Sequence, residues 1–155
     1  MQTTNLTVSV MNTGNNEYRA IKGILAAALF GAAVCLYQWV ELYELRTTGK
    51  IPGCTVNTTL DCAVVWNSPL SITVHQLTGI PFPGWGLIWC IATIGLAVPF
   101  LIGAMTSTVT ARSAALRLVT GSGAFISVVL AGYSLAIGTF CPTCLAFYLS
   151  TAIAA

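Results

Sequence analysis

Charge is what this sequence has least of. Only 6% of its 155 residues are charged and 56% are hydrophobic, whereas a soluble domain carries about 25% charged residues. Such a surface excludes a water-soluble globular fold and suits a bilayer. The formal net charge is only +2 and no basic run exists, which excludes nucleic acid as a partner. A secretory signal is missing too. Met1–Asn16 is polar, rich in Thr and Asn, and ends without a small-residue cleavage site. It is expected to be a disordered cytoplasmic tail through residue 18, with one membrane domain over 19–155. Six cysteines are too few for a disulfide scaffold, but enough for two functional pairs with two left over. No internal repeat or second domain is visible.

Long apolar runs are present instead. A membrane-crossing helix needs about 20 mostly apolar residues. Ile21–Val40 supplies one, interrupted by Lys22 at its start and by Gln38 near its end. Trp85–Ala104 supplies a second without charge. Leu118–Phe140 supplies a third, rich in the small residues that let membrane helices approach closely. Leu145–Ala155 begins a fourth but holds only 11 residues, about 16 Å at 1.5 Å per residue, so the chain is expected to be cut inside its last helix. The fold expected is an all-α integral membrane protein, a four-transmembrane-helix bundle with a long extracytoplasmic loop between helices 1 and 2. Arg19 and Lys22 flank the start of the first run, and Arg112 and Arg117 lie between the second and third. The excess of basic residues on cytoplasmic loops then puts Glu41–Pro83 outside, together with the turn before the fourth run. Within the outer segment, Pro69–Thr78 is read as a short helix on the bilayer surface, although Leu70, Ile72 and Val74 alternate as in a strand. The Pro- and Gly-rich stretch Gly79–Gly86 is expected to release a helix near Trp85.

This topology gathers four cysteines, Cys54, Cys62, Cys141 and Cys144, on one membrane face, the oxidising one, where disulfides persist. Cys35 and Cys90 fall inside the first and second runs, where packing is the expected role. Cys141-Pro142-Thr143-Cys144 reads as a helix start. Pro142 suits the first turn, so Cys141 is expected at the N-cap and Cys144 one turn in. The helix dipole and the free N–H groups there favour a thiolate. Cys54 and Cys62 have seven residues between them, in a segment flexible enough to move. A mobile pair beside a fixed pair suggests a disulfide relay, in which one cysteine of each pair must meet. A pair at a helix mouth within the bilayer can pass its electrons to a lipid-soluble quinone. Two alternatives remain on these residues alone. Four cysteines could bind zinc, though a spacing of seven is wider than zinc pairs use. Cys54–Cys62 could be a plain structural disulfide in a non-catalytic membrane protein.

The ordered set resembles the vitamin K epoxide reductase family. It comprises Cys54 and Cys62, Ser68 six residues later, the Gly79-Ile80-Pro81 return to the membrane, the Cys141–Cys144 motif, and Tyr148 four residues after it. The resemblance runs from about Ile21 to Ala155. It implies a four-helix bundle around a quinone pocket, with the last helix continuing past Ala155. It implies that Cys54 takes electrons from a thioredoxin-like redox protein or from nascent protein thiols, that Cys62 passes them to Cys141, and that Cys144 faces the quinone (ubiquinone, menaquinone or vitamin K). Trp66, Ser68 and Tyr148 would then shape the pocket or hydrogen-bond the ring oxygens. His75 is a lesser candidate, as a proton donor. Two departures stand out. The asparagine that animal members carry near the start of helix 2 is absent from Gly79–Gly86, which favours quinone over epoxide reduction. The thioredoxin-like domain that many bacterial members carry after helix 4 is not in this sequence. A second quinone-linked thiol oxidase family of bacteria places its Cys-x-x-Cys in the first outer segment, unlike this chain. The expected location is a bacterial or archaeal plasma membrane, or the endoplasmic reticulum, with the cysteines on the extracytoplasmic side.

Overall fold

The computed structural model describes residues 3–102 and 109–155, with side chains over 17–102 and 111–155. Among the described residues six helices follow one another: α1 (Thr3–Thr48), α2 (Cys62–Trp66), α3 (Pro69–Thr78), α4 (Phe82–Leu101), α5 (Val109–Ile137) and α6 (Pro142–Ala154). The protein is all-helical, with no strand among the described residues. Glu17–Thr48, Phe82–Leu101 and Ala111–Ile137 are long and apolar enough to cross a membrane, and α6 is a shorter apolar helix. The tail expected over 1–18 falls almost wholly on residues whose side chains lie outside the described ones.

Helix ends follow local chemistry. Ser68 caps α3, its Oγ accepting from the Ser71 N–H at 3.4 Å, and Pro69 follows at N1. Helix wins over strand in this stretch because the cap and proline act together. α3 stops at Gly79, whose φ of +72° is left-handed and free of Cβ strain only in glycine. α4 begins at Phe82, three residues before the expected Trp85, because Pro81 serves as N-cap and Pro83 sits within the first turn. The prolines therefore start the helix rather than delay it. α5 ends at Ile137, short of the expected Phe140, because Gly138 turns left-handed at φ +71°. The first helix continues past Val40 to Thr48, and the expected outer loop, Glu41–Pro83, is itself largely helical.

α1 packs along α4 and α6, and α5 closes against α4 and α6. The packing is inverted relative to a soluble protein. Thr93, Thr120, Ser127, Ser134, Ser150 and Thr151 are buried, while Phe30, Leu36, Phe125, Val128 and Leu135 point outward. Lipid is as apolar as leucine, so association rests on close fit and hydroxyl bonds rather than on removing apolar surface from water. One such bond joins α6 to α5: Thr151 Oγ1 donates to Ser127 Oγ at 2.8 Å.

Candidate active site

Cys141 is the N-cap of α6, and its Sγ accepts the Cys144 N–H at 3.2 Å. A sulfur thus takes the place of the usual capping oxygen, and Pro142 fills N1, where its missing N–H has no intrahelical partner. Burial pushes the Cys141 thiol up. The Cys144 side chain, the Thr143 hydroxyl and the N–H groups of Cys144 and Thr143 outweigh it and leave the thiol below its ordinary value.

The outer segment is brought to this helix start by backbone pairing. Leu60 and Phe140 form an isolated parallel bridge. Phe140 N donates to Thr59 O at 2.8 Å, and Asp61 N donates to Phe140 O at 2.9 Å. Cys62 follows the bridge by two residues and Cys141 by one, so their side chains converge. Asp61 also starts α2, its Oδ1 accepting from Ala63 N at 2.8 Å and from Thr55 Oγ1 at 3.0 Å. Upstream, Gly53 N donates to Glu41 Oε2 at 2.7 Å. A segment expected to move freely is therefore pinned at both ends.

Cys54 and Cys62 are joined as a disulfide, while Cys141 and Cys144 are free thiols. Cys141 Sγ lies 3.3 Å from Cys62 Sγ, and both are buried together with Leu42, Cys54 and Trp66. The Sγ atoms of Cys54, Cys62 and Cys141 all lie within 4.8 Å of one another. Two of these three are tied to each other and, while so joined, supply no thiolates to a tetrahedral zinc site. The arrangement instead suits exchange, in which a thiolate must reach one sulfur of a disulfide.

Behind the sulfurs lies a cavity of about 540 Å³, lined among others by Trp66, Ser68, Cys144 and Tyr148. All three side chains named beside the cysteines in the sequence thus reach one cavity. Trp66 and Ser68 are buried, and the Trp66 indole faces the Cys144 sulfur. The Tyr148 side chain faces Ser134 of α5. Ser68 both caps α3 and lines the cavity. His75 does not line it, and its buried Nδ1 has no hydrogen-bond partner. The wall is overwhelmingly apolar, with Leu70, Val74, Trp89, Ile126 and Phe147 among its residues.

Two site residues escape sequence reading. Thr143 Oγ1 touches three sulfurs: Cys141 at 3.2 Å, Cys62 at 3.8 Å and Cys54 at 3.9 Å. Gln38, buried in α1, donates from Nε2 to Cys144 Sγ at 3.7 Å. The sequence does carry a signal for it: Gln38 is the one amide in the apolar run Ile21–Val40, and buried polar groups in membrane helices are costly unless used. Thr143→Val is expected to slow exchange between the cysteine pairs on the order of tenfold, the worth of one hydrogen bond to a charged group. It should also move the pH profile of exchange upward, because Cys141 loses a donor that favours its thiolate. Thr143→Ser should restore both, and an unchanged stopped-flow pH profile in the valine variant would show the hydroxyl to be a spacer.

The model of the vitamin K epoxide reductase family matches residues 23–155. No curated protein and no solved structure matches the chain. The match reaches from within α1 to the end of α6, taking in both cysteine pairs and the cavity between the helices, and the chain belongs to the vitamin K epoxide reductase family.

Proposed function

We propose that this membrane thiol oxidoreductase carries electrons from protein thiols outside the membrane, through Cys54/Cys62 and Cys141/Cys144, to a quinone, and so supports disulfide formation in its partners. The observation that carries the reading is the 3.3 Å approach of Cys141 Sγ to Cys62 Sγ, with Cys144 opening onto the apolar cavity.

The steps balance as two-electron transfers. A thiol pair on a thioredoxin-like protein or a nascent chain reduces the Cys54–Cys62 disulfide through a mixed disulfide on Cys54. The Cys62 thiolate then attacks Cys141 of the Cys141–Cys144 disulfide, releasing Cys144. Cys54 attacks Cys62 in turn, re-forming Cys54–Cys62 and releasing Cys141. A thiol with a lowered pKa leaves faster, so the donors around Cys141 favour this last step. The outcome is an oxidised outer pair beside a reduced inner pair.

The cavity fits a quinone by its volume, its apolar wall and the few polar groups near Cys144. Tyr148, Ser68 and Trp66 are the residues that would hold it. Bound there, a quinone supplies an acceptor for two electrons and two protons. Gln38 steadies Cys144 at the cavity wall, and the surrounding helices exclude water from the transfer. The departure at Gly79–Gly86, which has no asparagine, supports quinone rather than epoxide as the acceptor.

Purified protein given a reduced thioredoxin-like donor should consume ubiquinone or menaquinone in proportion to the thiol supplied, and vitamin K epoxide poorly. No quinone consumption, with Cys54–Cys62 intact throughout, would leave a membrane protein with a structural disulfide. Tyr148→Phe should raise the quinone KM several-fold and leave thiol exchange between the pairs unchanged; unaltered quinone kinetics would reduce Tyr148 to packing. For orientation, the basic residues put the cysteines on the extracytoplasmic side. A membrane-impermeant maleimide on reduced whole cells should label Cys54 and spare a Thr110→Cys substitution. The opposite labelling would invert the topology.

A further inference from the structure

Cys35 and Cys90 take no part in the relay, yet they are not scattered. Cys35 is on α1 and Cys90 on α4, both are fully buried, and their thiols meet. The two helices carry the same five-residue pattern, Gly31–Cys35 and Gly86–Cys90, with glycine one turn before cysteine. Each glycine makes room for the opposite thiol. A Cβ at Gly86 would lie 2.6 Å from Cys35 Sγ, and one at Gly31 would lie 3.2 Å from Cys90 Sγ. Packing alone would be met by alanine and leucine. Here two nucleophiles face one another across the helix interface, each backed by a glycine. Cys35 also lines the same cavity as Cys144. It lies one turn from Gln38, which bonds Cys144, and residues three apart share a helix face.

We propose that Cys35 and Cys90 form a third redox pair, a dithiol that closes to a disulfide between α1 and α4 by exchange with the Cys141–Cys144 disulfide. Cys35 as thiolate attacks Cys144, forming a Cys35–Cys144 bond and releasing Cys141. Cys90 then attacks Cys35, forming Cys35–Cys90 and releasing Cys144. Two thiols become one disulfide while one disulfide becomes two thiols, so no further oxidant enters. The inner pair is reoxidised by quinone, and for that the inference rests on the proposed function. The protein thereby holds one more two-electron equivalent than its four outer cysteines provide. When that equivalent is oxidised, it ties α1 to α4 at the cavity wall.

The test is a titration of the fully reduced full-length protein, in detergent and without oxygen, with a short-chain ubiquinone. Free thiols are then alkylated and disulfide peptides mapped by mass. The wild type should consume three equivalents and yield a Cys35–Cys90 peptide, and Cys35→Ala should consume two. Two equivalents in the wild type, with Cys35 and Cys90 both alkylated, would overturn the proposal and leave the relay standing. No consumption, with all cysteines still reduced, would strike the proposed function instead. The thiol oxidant diamide then decides the third pair alone: a Cys35–Cys90 peptide upholds it, and two alkylated thiols overturn it. Should Cys35→Ala fail to fold, the wild-type peptide map decides by itself.

Discussion

Cys54→Ala is expected to stop quinone turnover and to trap the protein as a Cys62–Cys141 mixed disulfide. Two thiols can resolve that bond, Cys54 by attack on Cys62 and Cys144 by attack on Cys141. Removal of Cys54 takes away the resolving thiol that moves electrons forward. The remaining partners already stand 3.3 Å apart in a buried cluster. Cys144 is left as a thiol at the cavity wall, and quinone withdraws no electrons from a single cysteine in a two-electron step. Activity should fall by several orders of magnitude, and mass mapping should recover Cys62 joined to Cys141. Cys141→Ala should act oppositely, leaving Cys54–Cys62 intact and quinone untouched. A dominant Cys62–Cys144 link in the Cys54→Ala protein would reverse the order within the motif.

The second large effect is expected far from sulfur. At Gly123, on α5, an added Cβ would fall inside the indole of Trp89. That indole is held on two sides. Its Nε1 donates to Val119 O at 2.7 Å, and its ring meets Phe147 of α6 edge-on at 5.9 Å between centroids. Trp89 and Phe147 both line the cavity. Gly123→Val must therefore push Trp89 away from Val119 and into the cavity. Overpacking of this kind costs about 1–3 kcal/mol, and the loss of a buried donor's partner about 1–3 kcal/mol more. The midpoint of thermal unfolding in detergent should drop by roughly 10 °C, at about 2–4 °C per kcal/mol for a chain of this size. Quinone turnover should fall with it, while exchange between the cysteine pairs survives. Gly132→Ala on the same helix, where nothing lies within 4 Å of the added carbon, should change neither. Equal stability of the two variants would mean that α5 shifts to admit the side chain.

The sequence carries the local features well and the convergent ones poorly. Cys141 as N-cap, Pro142 at N1 and the cap at Ser68 follow from rules that span three or four residues, and long apolar runs announce membrane helices at a glance. The start of α4 is harder to read, because prolines weigh as breakers in a sequence, whereas at N-cap and N2 they begin a helix. Thr143 and Gln38 are hard to read for a different reason. Their importance lies in what they touch across the chain: Thr143 reaches Cys62 and Cys54, and Gln38 reaches Cys144. No spacing records those meetings. The pairing of Leu60 with Phe140, which brings Cys62 to Cys141, is equally hidden, because a bridge of one residue from each segment leaves no strand pattern to read.

The buried hydroxyls and outward-facing aromatics and aliphatics have a consequence for how this protein tolerates change. In a water-soluble domain the interior resists polarity and the surface forgives it. Here the outer positions, such as Leu36, Phe125 and Val128, should accept one another's side chains freely, since lipid asks of them only that they be apolar. The positions that discriminate between this arrangement and any other are held by its smallest residues: Thr93, Ser127, Ser150 and Thr151 inside, and the glycines that let α1 and α4 touch. A substitution that adds grease to the middle, harmless by the standards of soluble cores, would wedge the helices apart. The specificity of the fold thus resides in the side chains with the least surface to bury.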